Sequence, residues 1–125
     1  LRHIDELLSR RIELANNYIK LFKDVEGVQI PRTLENGQHS YQTFAIFIDD
    51  RDRVMKEMRA KGIEVQIGTY SLHAHNAFKN GPTIEVKGAM ENSLWCFHHA
   101  LALPLYHYLT EEQQELVVKE LKACL

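Results

Sequence analysis

The chain has 125 residues, of which 45% are hydrophobic and 26% charged, with a formal net charge of −2 at neutral pH. This is the composition of one globular domain able to bury roughly two thirds of its unfolded surface, and it excludes fibrous and disordered classes. Lysine and arginine are interleaved with aspartate and glutamate, which argues against nucleic acid as a partner, and no apolar run is long enough for a membrane span or a signal peptide. Leu1 is not a methionine and a helical pattern is under way by Ile4, so the sequence reads as a segment cut from a longer protein. Cys96 and Cys124 show neither CxxC spacing nor a secretory setting, which fits reduced thiols in the cytoplasm.

Ile4, Leu8, Ile12, Ala15, Ile19 and Phe22 recur at helical spacing, widened by Leu7, Leu14, Tyr18 and Leu21, until Gly27 and Pro31 end the pattern. The twenty or so residues of such a helix span about 30 Å, enough to bridge two domains or simply to pack on a sheet. Tyr41–Ile48 is aromatic, β-branched and apolar on both faces toward its end, the pattern of a central strand. Asp50 can then cap a helix that carries Val54, Met55 and Met58 inward, and Gly62 stands where a left-handed residue ends it.

A second strand follows at once. Ile63, Val65 and Ile67 alternate with Glu64 and Gln66, and Gly68 lets the chain leave the strand at an angle other residues resist. Thr69, Tyr70, Ser71 and His73 come next, a run of hydroxyls, a phenol and an imidazole delivered by a rigid strand, and these are the candidate ligand contacts. From Ser71 to Asn92 periodicity fails, with a turn expected at Asn80-Gly81-Pro82. Ser93–Ala100 reads as a short helix, Leu101–Tyr106 as an extended segment whose Pro104 favours an edge, and Thr110 to Gln113 as a capping box opening the last helix. The order predicts an α+β fold: a long N-terminal helix and a small antiparallel or mixed sheet with helices on one face.

Two blander readings stand beside these. The pairs His73/His75 and His98/His99 invite a zinc site, but neighbours on a helix point about 100° apart, so surface or interface histidines explain His98 and His99 better. Tyr70 taken alone reads better as a core tyrosine than as a ligand contact, and Leu94, Trp95 and Phe97 as core residues of a short helix, some of which would be exposed in a severed domain.

Taken together, His39-Ser40-Tyr41, Phe44 to Phe47, Arg51-Asp52, Gly62-Ile63, Gly68 to His73, Leu103-Pro104-Leu105 and Leu109 to Gln113 resemble the C-terminal small domain of the DegT/DnrJ/StrS-type sugar aminotransferases. The resemblance covers almost the whole chain, and only the stretch from Gly81 to Met90 matches nothing in the pattern. It implies that residues 1–125 are a single small domain of the aspartate-aminotransferase fold class, with residues 1–26 as the linking helix. The parent would be a pyridoxal-phosphate (PLP) enzyme, a cytoplasmic homodimer that moves an amino group from glutamate onto a nucleotide-linked keto sugar. None of the eight lysines lies in a cofactor-bonding motif, so the resemblance assigns PLP and the catalytic residues to an N-terminal large domain and leaves this chain inactive alone. Tyr70 and His73, with Thr69 and Ser71 as weaker candidates, would contact the substrate. The alternative is a freestanding α+β module that binds a small ligand or a protein.

Overall fold

The computed structural model describes residues 2–79 and 84–125; the expected turn at Asn80-Gly81-Pro82 lies outside them. The first helix, α1 (Ile4–Leu21), buries Leu14, Ala15 and Tyr18 and leaves Ile4 and Leu7 exposed. It stops short of residue 26 because the chain tightens after Phe22, where the Val25 amide bonds the Phe22 carbonyl and returns Val25 to the core.

Strand β1 (Phe44–Phe47) is shorter than the Tyr41–Ile48 expected. Tyr41 sits at φ 48°, which an extended strand cannot contain. The Tyr41 and Gln42 carbonyls accept instead from Arg11 Nη1 of α1, at 3.0 and 2.9 Å. Helix α2 (Arg51–Ala60) begins where predicted, but Asp50 does not cap it in the expected way: at φ 50° its side chain bonds no helix amide, and its carboxylate faces Arg53. The other end follows expectation. Gly62 takes φ +79°, its amide bonds the Arg59 carbonyl and the Ile63 amide bonds that of Met58, the paired bonds of a Schellman cap.

Strands β2 (Gln66–Ile67) and β3 (Ala100–Leu103) complete an antiparallel sheet in the order β1-β3-β2, with Phe44 opposite Leu103 and Gln66 opposite Ala102. Two expectations are reversed. The segment holding Pro104 supplies the central strand, and Tyr41–Ile48 supplies an edge strand, covered in part by a single bridge from Phe47 to Gln29. Proline is tolerated because it stands just beyond the last paired residue of β3, and it also explains why β2 is short. Continuing the register would set Glu64 opposite Pro104, which has no N–H to give. Val65 is buried all the same, its carbonyl taken by Arg59 Nε at 2.9 Å.

Phe44, Ile46, Leu101 and Leu103 point into one core with Leu14, Tyr18, Phe22, Val54, Met58, Val117, Val118 and Leu121, so α1, α2 and α5 (Glu111–Lys122) cover the same face of the sheet. The predicted capping box opens α5: the Gln113 amide donates to Thr110 Oγ1 and the Thr110 amide to Gln113 Oε1. Buried Gln114 ties α5 to α1, donating to the Leu14 carbonyl at 2.8 Å and accepting from Asn17 at 2.9 Å. Helix α4 (Glu91–His99) starts two residues earlier than expected and meets the sheet through Trp95, 4.9 Å from the outward-facing ring of Phe47. A 3₁₀ turn at Leu72–Ala74 and a single-turn helix α3 (Asn76–Lys79), neither foreseen, follow β2.

Candidate functional site

The candidate residues sit where the chain leaves β2. Gly68 does this without left-handed backbone. Its amide bonds the Ala100 carbonyl at 2.8 Å, and a Cβ placed there would lie 2.9 Å from the Ala100 Cβ and 3.2 Å from that of Ala45. Glycine is needed because three strands converge, and that convergence fixes where residue 69 begins.

Beyond Gly68 the four predicted residues part company. Thr69 is exposed and Tyr70 is 59% exposed, whereas Ser71 is fully buried and His73 half-buried. Ser71 Oγ lies 2.9 Å from His73 Nδ1 and 3.0 Å from Ser93 Oγ on α4, so the loop is pinned to that helix through a hydroxyl. The Tyr70 ring stands 5.7 Å from the His75 ring and 6.0 Å from the Phe97 ring, and the latter two are 5.8 Å apart.

Phe97 is held from behind by Arg51. That guanidinium is almost wholly buried, lies 5.7 Å from the Phe97 ring centre and donates from Nη2 to the Phe97 carbonyl at 2.9 Å. Its Nε is 3.0 Å from Asp52 Oδ1 as an ion pair, but neither buried Nε nor buried Nη1 has a hydrogen-bond partner among the described residues. Arg51, His75, Ser93 and Phe97 thus belong to the same constellation as Tyr70 and His73. Sequence reasoning met Arg51 only in a motif and His75 only as a metal candidate. Nothing in the spacing of Ser93 announces its partner, because the contact joins segments 22 positions apart.

The site is an exposed wall of the loop, α3 and α4. Tyr70, Leu72, Phe78, Leu94 and Trp95 are exposed large apolar residues on the loop, α3 and α4, and the bare apolar surface expected around Trp95 is present, Trp95 being 42% exposed. A cavity of about 500 Å³ lies at the opposite end of the sheet, where Pro104, Tyr106 and Gln113 face Gln66, and it includes none of Thr69, Tyr70, Ser71 or His73. Among the described residues no group of three or more histidine, cysteine or acidic side chains is placed to hold a metal, and no helix is long and apolar enough to cross a membrane.

Residues 1–122 match the sequence model of the DegT/DnrJ/EryC1/StrS aminotransferase family. The chain belongs to that family. Among curated relatives it is similar to the erythromycin biosynthesis sensory transduction protein EryC1 of Saccharopolyspora erythraea, 26% identical over 98% of this chain and 33% of that protein. It is likewise similar to the dTDP-4-dehydro-2,3,6-trideoxy-D-glucose 4-aminotransferase of Saccharopolyspora spinosa, 27% identical over 96% of this chain and 30% of that enzyme. In structure it superposes on the aminotransferase TlmJ of Streptoalloteichus hindustanus with a TM-score of 0.84 at 25% identity, over 98% of this chain and 33% of that one. The DesV structure from S. venezuelae, at 22% identity and a TM-score of 0.85 over the same shares, has the same fold. The chain spans about a third of the length of the curated relatives it matches.

No lysine of this chain stands in a setting that fits PLP. All eight lysines are solvent-exposed; Lys61 is paired with Glu120 at 2.9 Å and Lys87 lies 3.7 Å from Glu85. An exposed lysine on a polar face offers no enclosed position for a cofactor ring and phosphate.

Proposed function

We propose that this chain is the C-terminal small domain of a PLP-dependent enzyme that transfers an amino group from glutamate to a nucleotide-linked keto sugar. The observation that carries the reading is a family match across residues 1–122 by a chain about a third as long as its relatives. The S. spinosa relative, named for a dTDP-linked dehydro sugar, supports the substrate class. PLP supplies the electron sink for moving the amino group, and it belongs to an N-terminal large domain. Residues 1–26 link the two domains, and the parent works as a cytoplasmic homodimer.

The small domain supplies one wall of the substrate cleft. Tyr70 presents an exposed phenol that can donate to or accept from a sugar hydroxyl, and His73, three residues on, presents a half-buried imidazole. Thr69 adds an exposed hydroxyl. Ser71, being buried, acts on His73 and not on the ligand. The apolar surface around Trp95 and Leu94 packs against the large domain, which removes it from water.

The test uses the full-length gene product. Borohydride is expected to trap PLP covalently on a lysine outside residues 1–125, and prior incubation with L-glutamate to abolish trapping. PLP bound without a trappable lysine would replace transamination by sugar dehydration. Absence of bound PLP would overturn the reading in favour of a freestanding binding module.

A further inference from the structure

Arg51 is the one charged residue buried among the described residues, and little in its surroundings answers that charge. Its ion-pair partner Asp52 has a carboxylate 79% exposed, and pairs that reach water contribute little. Nε and Nη1 bond nothing among the described residues. Replacing such a group by an apolar side chain of similar volume is often neutral for stability, so stability is a poor account of an arginine here. What the guanidinium does achieve is a grip on one residue at two points: Nη2 donates to the Phe97 carbonyl at 2.9 Å, and Cζ lies over the Phe97 ring, 5.7 Å from its centre.

Helix α4 runs into β3 with neither a glycine nor a left-handed residue to close it, and Ala100 at its end is already extended. The Cys96 carbonyl still meets the Ala100 amide, but the carbonyls beyond it need partners from other elements. The Ile48 amide takes that of His99 at 3.1 Å, and Arg51 takes that of Phe97. A cation suits the place, since the carbonyl end of a helix is its negative end. The Phe97 ring so fixed stands 6.0 Å from the Tyr70 ring and 5.8 Å from that of His75, and those two are 5.7 Å apart. The Tyr70 phenol is exposed and bonds nothing among the described residues, so its orientation rests on these ring contacts.

We infer that Arg51 is a positioning residue for the reaction: by holding Phe97 through its carbonyl and its ring, it fixes the backing against which Tyr70 presents its phenol to the sugar substrate. This rests on the reading of Tyr70 as substrate-facing. Arg51 itself touches no substrate, because its guanidinium is closed off from solvent. Lysine would not serve in its place, since a compact, strongly hydrated ammonium lacks the planar fork that donates to a carbonyl while lying against a ring.

Full-length protein carrying fluorotyrosine tests this by ¹⁹F NMR without substrate, with the Tyr70 and Tyr106 signals identified by their loss in Tyr70→Phe and Tyr106→Phe. Arg51→Met, which keeps the volume and removes the charge and donors, should move the Tyr70 signal. Arg51→Lys, which keeps the charge and stands in should the apolar variant fail to fold, should move it too. Tyr106, at the cavity on the opposite end of the sheet, should keep its signal. A Tyr70 signal unmoved in either variant, or a Tyr106 signal displaced as far, overturns the clamp. The same variants are then assayed with L-glutamate and a dTDP-4-dehydro sugar, where Arg51→Met should raise KM for the sugar about fivefold, the factor carried by one ordinary hydrogen bond, with kcat and PLP loading kept. A fall in kcat or PLP loading in place of that rise overturns the positioning role. In a Phe97→Leu background, where no aromatic ring remains to pass the grip on, Arg51→Met should raise KM far less, and an equal rise overturns the route through Phe97. A displaced Tyr70 signal with KM unchanged overturns the substrate-facing reading of Tyr70 and leaves the clamp standing, because the signal is read without substrate.

Discussion

Replacing Gly68 by alanine probes the point where all three strands meet. The added methyl would stand 2.9 Å from the Ala100 Cβ, 3.1 Å from the Ala100 carbonyl carbon and 3.2 Å from the Ala45 Cβ. None of these atoms is the end of a flexible side chain, so relief requires β2 and β3 to part by several tenths of an ångström, against the Gly68 amide bond to Ala100. Overpacking of this kind costs about 1–3 kcal/mol, and Gly68→Ala is expected to lower stability by about 1–2 kcal/mol after the gain of about 0.4–1 kcal/mol that alanine brings by restricting the unfolded chain. The closest clash is methyl to methyl, so adding Ala100→Gly should recover part of the loss, although glycine in a strand itself costs about 0.5–1 kcal/mol. The assay is urea unfolding of the 125-residue chain for wild type, both single variants and the double variant, with the coupling read at constant m. A Gly68→Ala variant as stable as wild type, or a cycle without favourable coupling of about 1 kcal/mol, would refute the claim that crowding dictates glycine here.

Tyr70→Phe in the full-length protein should raise KM for the sugar substrate while leaving thermal stability unchanged, since the phenol is exposed and bonds nothing among the described residues; steady-state kinetics beside a melting curve checks both. Gln114→Ala should cost about 2–4 kcal/mol in denaturant midpoint, because it removes a buried amide that bridges Leu14 and Asn17 and leaves a void between α1 and α5. Thr110→Ala should cost about 1 kcal/mol by the same measurement, through loss of the capping box. The Lys61 ammonium beside Glu120 holds that carboxyl below its usual range, so the pair contributes stability above the carboxylate pKa range that is lost as pH falls through the lowered value. Melting temperatures across acid pH should therefore show Glu120→Gln less stable than wild type near neutrality and the two converging in acid; parallel curves would count against the pairing.

Local signals in the chain were reliable where the cause was local. Thr110 and Gln113 announce their own cap, Gly62 its own left-handed turn, and the spacing from Leu14 to Phe22 its own buried face. Strand order was not legible, because apolar content suits Tyr41–Ile48 and Ala100–Leu103 equally to a central place. Pro104 misled because its position one residue past the ladder depends on register, which only pairing decides. At Asp50 a residue type suited to capping turned out to supply left-handed backbone instead. Of the candidate site, Tyr70 and His73 were visible through the strand that delivers them, whereas Ser93, Phe97 and Arg51 join the constellation through contacts between distant segments.

The central place of β3 governs the order in which this domain can be assembled. Neither β1 nor β2 has the other as a partner: apart from the bridge of Phe47 to Gln29, both pair with Ala100–Leu103. A chain emerging from the ribosome can therefore form α1 and α2 early but closes no sheet until its last quarter is out, and α5 docks on α1 only after that. Pairings so distant along the sequence slow folding and leave strand edges open for longer. Nascent chains halted before Ala100 would leave Phe44, Ile46 and Val65 without β3 and α5 and so only partly covered, the kind of surface that holdase chaperones retain.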